Sequence, residues 1–186
     1  MTSTKELRET LPERAPNEER HLKDHMHQKF AIYTLANLNA AQLQELRDKV
    51  NTIDGKLIED PDVSYARVAD QPDFSGRTLR DVYDHHILAR DQCDWMDPLF
   101  FIVADQEDHK TKGLLVVNLC TFGDDDDEAD DTGIIGVARC KPHEAGGWGI
   151  CFRLAEMDWS ELKDAEHEEW GGSDSDEEDE DDSDGE

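Results

Sequence analysis

Positive charge is what this chain has least of. Nineteen Lys and Arg stand against forty-seven Asp and Glu, a formal net charge of −28. Nucleic-acid binding draws most of its affinity from phosphate neutralisation by Lys and Arg, so no nucleic-acid partner is expected. An anionic membrane surface is repelled on the same ground. Long apolar runs are missing too. No stretch approaches the ~20 residues that span a bilayer, and MTSTKELRETLPERAPNEER at the start has no hydrophobic core of the signal-peptide kind. Cysteine is sparse: Cys93, Cys120, Cys140 and Cys151 are separated by 27, 20 and 11 positions, with no C-x-x-C. That spacing suits reduced thiols in the cytosol or nucleus better than a disulfide frame. Also absent are the phosphate-loop frames G-x-x-x-x-G-K-S/T and G-x-G-x-x-G and the nucleophile elbow G-x-S-x-G.

What the chain has instead is acid, in two blocks. Asp124, Asp125, Asp126, Asp127, Glu128, Asp130 and Asp131 form one; Ser173–Glu186 (SDSDEEDEDDSDGE) is the other. Together they hold seventeen acids and no base, which leaves the rest of the chain at −11 and acidic in its own right. Neither block can fold by burying itself, so solvent or a basic partner must answer it. A calcium cage is excluded. Started at Asp124, the twelve-residue loop template has acids at positions one, three and five. It then sets Ala129 where glycine is required and Ile135 where the bidentate glutamate belongs. Ser173, Ser175 and Ser183 each precede an acid by three residues, the pattern acidophilic kinases use, and each phosphate would deepen the field by about −1.5 to −2.

Periodicity gives the body. Residues 1–28, mostly charged and broken by Pro12 and Pro16, read as a flexible arm with little to bury and a short helix ending near Leu11. The globular part is expected over 29–170, with the acidic insert at 124–131 and a disordered acidic tail over 171–186. Lys29–Leu35 reads as a buried strand. Asn39 caps a helix carrying Leu43, Leu46, Val50 and Ile53. Asp54-Gly55 turns the chain, and Val63–Val68 is a second strand. Thr78 and Asp81 make a capping box for a helix whose inward stripe is Leu79, Val82, Tyr83, His86 and Ile87. Leu99–Val103 and Leu114–Leu119 follow, joined by a loop too short for a crossover and therefore antiparallel. Ile134–Ala138 is a fifth strand, and Asp158 with Glu161 opens a last helix bearing Trp159, Leu162 and Trp170. The order β-α-β-α-β-β-β-α predicts an α/β fold, a mixed sheet in a sandwich with its first three strands parallel. An α+β arrangement is the close alternative.

Asp70-Gln71-Pro72-Asp73-Phe74, Phe101-Ile102-Val103-Ala104-Asp105, Leu114–Leu119 and Leu154-Ala155-Glu156-Met157-Asp158-Trp159 fall in a recognisable series. In that order and spacing the chain, over about residues 30–165, resembles a family of small bacterial and fungal domains of unknown function. The resemblance implies a fold and transfers no catalytic residue. The charged arm, the acidic insert and the tail depart from its pattern.

Candidate chemistry is thin. His21, His25 and His27 are read as solvated residues of the arm rather than metal ligands, and no metal or cofactor is expected. Adjacent on a helix, His85 and His86 point about 100° apart, so one packs beneath the sheet and the other faces water. Asp70 and Asp105 follow strands, where ligand crevices of open sheets lie, while Asp158 reads as an N-cap. Gly146-Gly147-Trp148-Gly149 is expected as a flexible turn, and Cys120 and Cys151 as buried thiols. Two functions are compatible with these features. One is a non-enzymatic acidic interaction module engaging a basic protein segment through the insert and tail. The other is a small enzyme or ligand-binding accessory protein, of biosynthetic type, with a pocket at the strand edge near Asp70 and Asp105 and including His86.

Overall fold

Strands that read as unbroken apolar runs are strands buried on both sides. The computed structural model describes residues 2–21, 28–60, 62–69, 72–121 and 133–171. In chain order these form α1 (Thr4–Glu9), a 3-10 turn (Glu18–His21), β1 (Lys29–Thr34), α2 (Ala40–Val50), β2 (Thr52–Ile53), β3 (Lys56–Leu57), β4 (Ala66–Val68) and α3 (Leu79–Ala89). They continue with β5 (Met96–Ala104), α4 (His109–Lys112), β6 (Leu114–Thr121), β7 (Ile134–Cys140), α5 (Ala145–Leu154) and α6 (Trp159–Trp170). The main sheet has the order β4-β1-β5-β6-β7, parallel across β4-β1-β5 and antiparallel across β5-β6-β7. This is the expected mixed α/β sandwich.

Side chains alternate between the faces with the strand period of two. Ala31, Tyr33, Phe101, Val103, Leu115, Val117 and Val137 meet Leu79, Val82 and Tyr83 of α3 on one face. Phe30, Ile32, Phe100, Ile102, Leu114, Val116 and Ala138 meet Leu46 and Val50 of α2, Ala145 of α5 and Leu162 of α6 on the other. Because β4 and β5 flank β1 on opposite sides, crossovers of one hand put α2 and α3 on opposite faces. Two bulges interrupt the ladders, and in each a polar side chain accepts the amides the bulge releases. Asp97 Oδ1 takes the amides of Leu99 and Phe100, both at 2.9 Å. Asn118 Oδ1 takes that of Cys120 at 3.1 Å.

The helix entries hold as read. Asn39, Thr78 and Asp158 stand at the N-caps, each backbone amide bonded at 2.9 Å to the side chain three residues on. Asp54 and Gly55 both have positive φ, 48° and 74°, the backbone of a type I′ turn, and they join a two-stranded hairpin β2–β3 that the pattern did not announce.

Three expectations need correction. The arm does not lack things to bury: Leu11 and Ala15 enter the core, Ile135 donates its amide to Glu13 O at 2.9 Å, and Arg14 bridges to Ile134. The arm thus covers the outer edge of β7. Leu11 looked isolated because the core it joins is built largely from strands and a helix distant in sequence. Gly146–Gly149 is no turn but the first part of α5. A Cβ on Gly149 would lie 2.5 Å from the Phe30 ring and one on Gly146 2.5 Å from Val50 O, so glycine here lets the helix lie close on β1 and on the end of α2. The second strand is also shorter than read, Ala66–Val68. The acidic insert, the tail and Asp70 lie outside the described residues.

Candidate interaction surface

The nearest described residues beside the two acidic runs are Thr121, Gly133 and Gly171, and each is hydrogen-bonded. At the base of the β6–β7 connection, Gly133 donates its amide to Thr121 O at 3.0 Å, and Thr121 Oγ1 donates to Ile134 O at 2.8 Å. The tail follows Gly171, whose amide bonds His167 O at 2.8 Å. Between these points run β7 and α6, side by side and in the same direction. The Trp159 indole lies against Gly136 near the start of β7; the Trp170 ring lies against Gly113, next to Leu114, which pairs with Cys140 at its end. Seven residues of strand span about 20 Å. The insert and the tail therefore leave from opposite ends of one strand–helix pair.

Cations of the body are largely engaged within it. Arg139, only 1% exposed, makes a two-pronged pair with Asp105 (2.9 and 2.8 Å) and a further bond to Lys112 O at 3.1 Å. Arg153 bonds Asp97 at 2.6 Å and Gln28 O at 2.9 Å, and lies 4.5 Å from the centre of the Phe30 ring. Arg90 donates to the carbonyls of Pro98 and Pro16, tying the arm to the sheet. On the surface, Lys110 and Lys49 share Glu45 (2.6 and 3.6 Å), Lys141 meets Glu169 (2.5 Å) and Lys163 meets Glu166 (2.7 Å).

The residues proposed for a pocket part company. His86 is buried on α3, its Nδ1 3.1 Å from Tyr33 Oη and its ring 4.5 Å from that of Phe101. Burial, with Arg90 nearby, pulls its pKa down to about 3, so the ring is a neutral member of the core. Asp105 follows β5, four residues or about 13 Å of strand beyond Phe101, and is turned to Arg139. It does stand at the topological switch point, where β1 has neighbours reached in opposite directions. Backbone fills that crevice: Leu35 and Ala36 both donate amides to Ala104 O (2.9 and 3.2 Å), and Gly76 donates to Leu35 O at 2.9 Å. Asp70 lies outside the described residues, as do the acids of the insert and Ser173, Ser175 and Ser183 of the tail. His25 and His27 lie outside them as well; among the described residues no three His, Cys, Asp or Glu side chains gather as metal ligands. Cys120 and Cys140 are buried, the latter with its thiol pKa pushed up by burial, whereas Cys151 is only half-buried, on α5.

Among the clefts on the described surface are three of about 770, 440 and 420 Å³. The largest, about 770 Å³ between α2, the β2–β3 hairpin and β4, sets Lys29, Arg47 and Arg67 against Asp48, Glu59 and Asp62 and so selects no sign of charge. Within it Asn51 bonds both Ala66 N (2.9 Å) and Ala66 O (3.0 Å), closing the outer edge of β4 with one side chain. A second, about 440 Å³, gathers the Lys49, Lys110 and Lys141 just described. The third, about 420 Å³ and mostly apolar, lies beside the end of α3 and is lined by Ala69, His85, Leu88, Ala89, Gln92, Cys93, Trp95 and Met96. The division of the histidine pair is as expected: His86 is in the core and His85 on this groove. The groove itself was missed, although Leu88 is an apolar residue on the otherwise polar side of α3.

No family model, curated protein or solved structure matches this chain. Among the described residues no helix is long and apolar enough to cross a membrane.

Proposed function

We propose that this protein is a non-enzymatic acidic interaction module whose insert and tail engage a basic protein segment, with nucleic acid and membranes repelled. The observation that supports this most is the engagement of the body's own cations. Arg139, Arg153, Lys49, Lys110, Lys141 and Lys163 already face carboxylates of the body, while the two runs contain seventeen acids and no base. These six cations are thus already answered and the runs bring none of their own, which favours a basic partner as their counter-charge. Attachment about 20 Å apart on one strand–helix pair suits a partner that presents cations at both ends. Such attraction chiefly speeds encounter and filters partners, and it fades with salt. Phosphorylation of Ser173, Ser175 and Ser183 would strengthen it. Kinship with the small bacterial and fungal domains of unknown function belongs to the same proposal and brings no activity.

The test is capture of a lysine-rich polypeptide by the full chain and by a chain lacking residues 173–186. The truncated chain should bind more weakly at low salt, with the difference shrinking at high salt. Equal binding at low salt refutes the tail's role.

A further inference from the structure

Leu88 is the most exposed large apolar side chain among the described residues, at 68%. It stands four residues after Asp84 and three before Asp91, so one stripe of α3 and its extension reads acid, leucine, acid. Below that stripe lies the 420 Å³ groove, with Ala69, Ala89, Cys93, Trp95 and Met96 as its apolar floor and His85 and Gln92 as its polar members. Asp84, Asp91 and Asp94 are all exposed around it. The bases nearby are engaged: Arg80 bonds Asp84 at 2.8 Å, and Arg67 lies 4.8 Å over the Trp95 ring. His21 Nε2 sits 3.2 Å from Asp91.

We infer that this groove receives the apolar face of a basic amphipathic helix carried by the partner. The inference rests on the proposed function and adds the place where contact becomes specific. A helix in a groove is read by apolar anchors at helical spacing, and cations flanking those anchors would meet Asp94 and share Asp84 and Asp91 with Arg80 and His21. Other occupants fit less well. Two copies of a chain at −28 repel each other, and acids at the groove's margin would oppose self-association directly. A small apolar ligand would make no use of the exposed acids at the groove's margin, whereas a basic helix would. The acidic runs would then supply rate, and the groove would supply affinity that salt does not erase.

Two synthetic peptides of equal positive charge test this on the full-length protein. One carries Lys and Leu at helical spacing; the other has Gln in place of every Leu. Leu88→Ser, a change in a side chain already facing water, should weaken the Lys/Leu peptide about tenfold and leave the Lys/Gln peptide unchanged. Deleting 173–186 should weaken both at low salt. If Leu88→Ser alters neither peptide, or alters both equally, the groove assignment is wrong while the acidic-run reading stands. If neither peptide binds the wild-type chain at low salt, both fail.

Discussion

Asp97 and Asp105, inside the body, each answer to one arginine at 2.6–2.9 Å; the acids of 124–131 and 173–186 come seventeen together with no base among them. The same residue types thus serve two opposite ends. A buried carboxylate loses its water and must be given a cation and amide donors, which fixes where it sits. Asp97 shows this most fully, taking Arg153 on one oxygen and two backbone amides on the other. On the proposed function, the acids of the runs act through their field on a partner. The difference says where substitutions should be felt: pairs of the body in stability, and the runs, if that proposal holds, in encounter.

The sharpest way to break this contrast is to remove one interior cation. Arg139→Met leaves the Asp105 charge sequestered and uncompensated, and should cost about 3–5 kcal/mol in urea denaturation. Adding Asp105→Leu should restore much of that loss. If Arg139→Met is as stable as the wild type, the interior pair does not do what is claimed for it.

A smaller effect comes from acid. His86 is held neutral down to about pH 3 in the fold and titrates near 6.5 once unfolded. Between those values the unfolded chain binds the extra proton, so stability is full above pH 6.5 and falls as pH drops toward 3. At pH 4.5 this term is about 2–3 kcal/mol. His86→Leu should flatten the acid limb of a stability–pH curve. An unchanged limb would show that His86 is not held neutral.

The smallest change is expected where charge is densest. Replacing the acids of 124–131 and 173–186 by Asn and Gln should move unfolding free energy by no more than about 0.5 kcal/mol. A loss as large as that of Arg139→Met would mean that the runs are structural, and the contrast would collapse.

Legibility followed the range of the interaction. Asn39, Thr78 with Asp81, and Asp158 with Glu161 mark helix starts through contacts three residues apart, and a local pattern carries them. The strands were readable because both faces are buried, so Phe101-Ile102-Val103 and Leu114–Val117 needed no alternation. Asp54-Gly55 signalled its turn, though not the hairpin that the turn closes. What was hidden depends on distant partners. Gly146–Gly149 looks like a loop until Phe30 and Val50 are seen pressing on it. Leu11 looks stranded until β7 offers an edge. Asp105 looks like a candidate site until Arg139, 34 positions later, takes its carboxylate. Of the groove, Leu88 alone gave a local sign, as an apolar residue between Asp84 and Asp91.

The most direct test is the salt dependence of affinity for one lysine-rich polypeptide, measured by calorimetry with the wild-type chain and with the chain neutralised in both runs. Binding by the wild type should weaken steeply as salt rises, while the neutralised chain starts weaker and changes little, the two converging near 1 M, where the screening length is about 3 Å. Parallel curves of equal affinity would contradict the account, because the acids would then have no bearing on which cations the protein meets.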